Sequence, residues 1–134
     1  SALAQGSSMA EALGADIAAR ITWVEGDFAV WEPPPDHFDL VVSLYVHVAG
    51  SVDEMVRRLA IGVAPGGTVL MIGHRPIDPE TGQPTPARNQ VQVSVESAVA
   101  ALDPNVWKIA VAEERRRAVA GSGAAPNSAD RRPN

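Results

Sequence analysis

Two apolar blocks with different periods dominate the middle of the chain. Phe38 to Val48, FDLVVSLYVHV, is almost unbroken apolar sequence rich in β-branched residues, the pattern of a parallel strand covered on both faces. It is predicted to be the central strand. Val52, Met55, Val56, Leu59 and Val63 then follow at steps of three and four, which places them in one stripe of an amphipathic helix. Ser51-Val52-Asp53-Glu54 has the order of a capping box at its start. Pro65-Gly66-Gly67 is expected to stop this helix, because proline cannot donate a backbone hydrogen bond and glycine tolerates positive φ. Thr68 to Gly73, TVLMIG, resumes as a buried strand.

The flanks are less regular. Residues 2 to 19 carry Leu3, Ala10, Leu13 and Ile17 at helical spacing. Gly6, Ser7 and Ser8 interrupt them, so either this helix is weak or a second one starts at Ser8, with Glu11 closing a capping box. Ile21 to Phe28 reads as a short strand ending in the turn Gly26-Asp27-Phe28, and the three prolines at 33 to 35 make the next stretch a loop. His74 to Gln90 is polar and proline-rich, long enough to act as a lid over a ligand. Val95 to Leu102 is predicted as a helix opened by Ser94 and stopped by Asp103-Pro104-Asn105. Trp107, Ile109 and Val111 alternate as in a strand. Residues 1 to 120 are expected to form one domain, with 121 to 134 as a disordered tail of Gly, Ala, Pro, Ser, Asn and Arg.

Composition narrows the chemistry. The 134 residues are 46% hydrophobic and 20% charged, with a net charge of -5, so no basic face is available for a phosphate backbone and nucleic acid is not an expected partner. Without cysteine, disulfides and thiolate chemistry are excluded, and a cytoplasmic location is the expectation. No apolar run reaches the length of a membrane span. His37, His47 and His74 lack metal-ligand spacing, so no metal is assigned.

Alternation of helices and strands calls for a parallel sheet. Within that order, Gly26-Asp27-Phe28 closes one strand, Phe38-Asp39-Leu40-Val41-Val42 opens the next, and Ala64-Pro65-Gly66-Gly67-Thr68 follows an amphipathic helix. Together these segments resemble the class I S-adenosylmethionine-dependent methyltransferases. The resemblance implies a Rossmann-like three-layer α/β fold and S-adenosyl-L-methionine as cofactor. It also implies a small-molecule acceptor methylated on O, N, S or C. Asp27 would accept a hydrogen bond from the adenine amine and Phe28 would flank the ring. Ser43 and Leu44 would touch the cofactor from the end of the fourth family strand. Tyr45, His47 and His74 would face the acceptor, with no catalytic residue assigned. Ligand binding outside the carboxyl ends of the strands also follows from the architecture itself.

Ordinary roles compete at each position. Asp27 is also a normal turn-capping residue. His47 could serve as a general base or simply bond to backbone, and Tyr45 and His74 could be packing residues. The resemblance runs from about Ser1 to the strand near Val111. Neither the family's glycine-rich first loop nor its ribose-binding acid occurs in the sequence. The fold is therefore expected to be incomplete, with the first two strands missing and the last unrecognisable. Such a chain is expected to be inactive alone, to bind the cofactor poorly, and to self-associate or to lack an N-terminal segment. A non-catalytic, methyltransferase-like module used for self-association or partner binding is the alternative reading.

Overall fold

The computed structural model describes residues 1–46, 50–74, 77, 80–83 and 94–115. Its elements are α1 (Ala2–Leu13), α2 (Ala15–Ala18), β1 (Phe38–Leu44), α3 (Val52–Ile61), β2 (Val63–Ile72) and α4 (Val95–Ala100). The architecture is mixed α/β. Its centre is the β1–α3–β2 unit, in which the two strands pair in parallel as a two-stranded sheet. The predicted tail and most of the predicted lid, like His47, lie outside the described residues.

Local chemistry explains the boundaries of α3. The Ser51 hydroxyl accepts a hydrogen bond from the Glu54 amide at 3.2 Å, satisfying one of the orphan donors of the first turn. Asp53 and Glu54 place negative charge where the helix dipole favours it, and Arg58 stands in the last turn. The stripe seen in the sequence buries Met55, Val56 and Leu59 against the sheet. The helix ends at Gly62, not at Pro65-Gly66-Gly67. The triple-proline loop makes that end possible. Pro33 packs against Gly62, while the amides of Asp36, His37 and Phe38 donate to the carbonyls of Ile61 and Gly62, which would otherwise be unpaired at the helix terminus.

Pro65-Gly66-Gly67 instead lies inside β2. From Phe38 to Leu40 the pairing advances two residues along β1, whereas its partners advance from Val63 to Thr68 on β2. The extra residues form a bulge. Gly66 adopts φ +82°, and Gly67 brings the β2 backbone against the carbonyls of Ala64 and Asp39. Beyond the bulge the register is regular, Val41 opposite Val69 and Leu44 opposite Ile72.

Three other expectations are corrected. First, Ile21 to Asp27 has no regular structure; Trp23 folds back so that its indole covers Gly6 of α1. Second, Trp107 to Val111 is likewise irregular. Both segments lack a neighbouring strand among the described residues, and a lone strand has nowhere to send its backbone hydrogen bonds. Third, Ser8 does not start a helix. Its hydroxyl donates to the Ala4 carbonyl within α1, which Ser1 caps and Gly14 ends. The helix opened by Ser94 forms as expected, with the Ser94 hydroxyl accepting from the Ser97 amide.

β1 is not covered on both faces. Strand side chains alternate, and in β1 and β2 the alternation separates Val41, Ser43, Val69 and Met71 from Leu40, Val42, Leu44, Leu70 and Ile72. The first set is shielded to varying degrees on the side of α3. The second set is exposed.

Candidate functional site

The carboxyl ends of β1 and β2 meet at Tyr45 and His74. The Tyr45 amide donates to the Ile72 carbonyl at 2.7 Å, which carries the sheet pairing one residue past the end of β1. At that point Tyr45 turns to φ +54°, a backbone region that non-glycine residues seldom occupy and that bends the chain out of the strand. The bend brings its ring to 4.7 Å from the His74 ring at an interplanar angle of 34°. His74 stands two residues beyond the end of β2. A phenol and an imidazole are thus held side by side at the strand ends. Between them they offer two aromatic faces and both donor and acceptor capacity.

Ser43 and Leu44 precede this pair on β1 but point to opposite faces of the sheet. Ser43 is buried at 6% exposure, whereas Leu44 is on the open face at 50%. A ligand at the strand ends could contact Leu44 directly. Ser43 would reach it only through its backbone.

Asp27 and Phe28 belong to a different cluster. The Asp27 carboxylate accepts from the Ala29 amide at 2.8 Å, and its carbonyl accepts from the amides of Val30 and Trp31. This is the local turn that an aspartate stabilises. The Phe28 ring lies 5.9 Å from the Trp31 ring, and the Phe28 carbonyl accepts from Arg58 Nη1 at 2.6 Å. Arg58 is in the last turn of α3, which leads into the amino end of β2. The Phe28 carbonyl is therefore tied to that helix end and Asp27 to its own turn, whereas Tyr45 and His74 stand at the carboxyl ends of the strands.

Arg58 is the residue that sequence reasoning missed. Its place off the apolar stripe marks it as a polar-face residue, but nothing local signals a partner thirty residues earlier in the chain. His37 packs edge-on against Phe38 at the amino end of β1, far along the strand from Tyr45. A hollow of about 490 Å³ lies between α3 and the turn after α4, lined by Arg57, Ala60, Ile61, Leu102 and Trp107. Trp107 thus serves as a wall residue instead of a strand position. Among the described residues there is no metal-ligating cluster and no helix long and apolar enough to cross a membrane. No protein-family model, curated protein or solved structure matches the chain.

Proposed function

We propose that this chain is part of a small-molecule methyltransferase and that it supplies the acceptor-facing end of the site, at Tyr45 and His74. In this reading β1–α3–β2 is a piece of a Rossmann-like three-layer sheet, and S-adenosyl-L-methionine would bring an activated methyl group. The observation that carries the proposal is the joining of Tyr45 and His74 at the carboxyl ends of two parallel strands. Those strands are built from the same segments on which the family resemblance rests, and α/β sheets bind ligands at that end. Transfer to an acceptor calls chiefly for alignment and exclusion of water. A tilted pair of aromatic rings suits that task, because its ring surfaces can orient an acceptor. No transfer step is assigned to Asp27, which caps its own turn, or to Phe28, whose carbonyl is held by Arg58 of α3.

Titration of the 15N-labelled chain with S-adenosylmethionine tests the reading. Binding is expected to be weak, with a dissociation constant on the order of 1 mM, equivalent to only about -4 kcal/mol. The amide shifts should centre on Ser43 and Leu44 and reach Tyr45 and His74 at the acceptor-facing end. Leu44→Ala should diminish them. Shifts confined to the hollow beside Trp107, or no shifts at saturating cofactor, would contradict the assignment.

The alternative reading, a non-catalytic module for self-association, is favoured by a separate observation, the exposed apolar face of the sheet.

A further inference from the structure

The sheet face turned away from α3 carries Phe38, Leu40, Val42 and Leu44 from β1, together with Leu70 and Ile72 from β2. Val42 stands opposite Leu70 and Leu44 opposite Ile72, so the side chains form two adjoining rows. All six are between 37% and 57% exposed. Among the described elements, α3 contacts β2 and α4, and α1 contacts α2; the exposure of these six side chains leaves this face of the sheet open. Thr68, opposite Leu40, adds a polar position at one corner of the patch.

We infer that this face is an interface between two copies of the chain, packed sheet to sheet about a twofold axis. The inference deepens the self-association reading and shares only Leu44 with the Tyr45–His74 end, so Leu40→Glu, placed away from that end, separates its failure from that of the methyltransferase reading. Three arguments carry it. Strands of a parallel pair are normally buried on both sides, and here one side is open. The six side chains present on the order of 500 Å² per copy, so face-to-face pairing removes about 1,000 Å² in all, the size at which a specific interface separates from an incidental contact. The composition of the patch decides the occupant. None of its six side chains is charged, so it offers no complementarity to a charged partner, and the net charge of -5 is carried elsewhere on the chain. A twofold contact needs a surface that complements itself, and a flat, uncharged face of aliphatic rows meets that need. Sheets packed in this way interdigitate at a separation of about 10 Å.

Sedimentation equilibrium on the full 134-residue chain, between about 5 and 200 μM, measures the association directly. The expected result is a closed dimer with a dissociation constant on the order of 10 μM, weak because the area is small. Leu40→Glu and Leu44→Glu should each weaken it at least about tenfold by burying a carboxylate without a partner. Leu13→Glu, exposed on α1, should leave it unchanged. Circular dichroism reports whether each variant keeps its fold. Should the glutamate variants unfold, Thr68→Arg decides the matter, because it places the charge at a position that is already polar and exposed. A chain that stays monomeric throughout the range overturns the inference. So does open-ended assembly beyond two copies, or association that Leu40→Glu and Thr68→Arg leave intact.

Discussion

Replacing Leu59 by alanine is expected to lower the stability of the chain by about 3 kcal/mol, the cost of a cavity left under a helix with little means of collapse. Leu59 is 4% exposed and is one of few buried apolar side chains on α3 and the adjoining β2, with Met55, Val56 and Val63. It lies on the stripe of α3 that covers the sheet. Few other large side chains are available to take up the loss. A small domain has only about 5 to 15 kcal/mol in total, so the variant should melt roughly 10 °C lower or fail to fold at all. Leu13, exposed on α1 at 71%, provides the contrast. Leu13→Ala should change stability by no more than about 0.5 kcal/mol. Equal losses at the two sites in chemical denaturation would mean that α3 does not organise the core.

The second large effect is expected at the bulge. A Cβ on Gly67 would lie 2.8 Å from the Ala64 carbonyl oxygen, 2.8 Å from Val63 Cγ1 and 3.0 Å from the Asp39 carbonyl oxygen. Both oxygens are backbone atoms and cannot swing aside. Gly67→Ala should therefore cost about 2 to 3 kcal/mol and loosen the pairing between Leu40 and Thr68, because the strands must separate to admit the methyl group. Gly66 has open space around it but φ +82°, so Gly66→Ala should cost only about 1 kcal/mol, through backbone strain alone. A reversed order in urea denaturation would show that the bulge is not formed as described.

The bulge also shows where sequence reasoning reaches its limit. Pro65-Gly66-Gly67 is correctly read as a break, but a break in sequence does not reveal which element it interrupts. The helix had already been stopped at Gly62 by the proline loop, through hydrogen bonds from residues more than twenty positions away. Strand β1, the stripe of α3 and the capped start of α4 were legible because their signals are local: β-branched runs, three-and-four spacing, and a serine before the first turn. Ile21 to Phe28 carries an equally good local strand signal yet forms no strand, because a strand is completed by a partner that no local pattern supplies.

The candidate site divides along the same line. Tyr45 and His74 follow from the rule that ligands gather at strand ends, and the parallel register brings them together. Asp27 carries two meanings in the sequence, a ligand contact and a turn cap, and the structure shows the carboxylate on the Ala29 amide. The Arg58 contact that fastens this turn to α3 depends on tertiary packing alone.

The parallel β1–α3–β2 unit delivers Tyr45 and His74 to one place, and nuclear Overhauser contacts in the free chain test that most directly. Ring protons of Tyr45 should show contacts to ring protons of His74, accompanied by cross-strand contacts between Ser43 and Met71 and between Leu44 and Ile72. Cross-strand contacts in a different register, or a Tyr45 ring that contacts residues of the Asp27–Trp31 turn instead of His74, would contradict it.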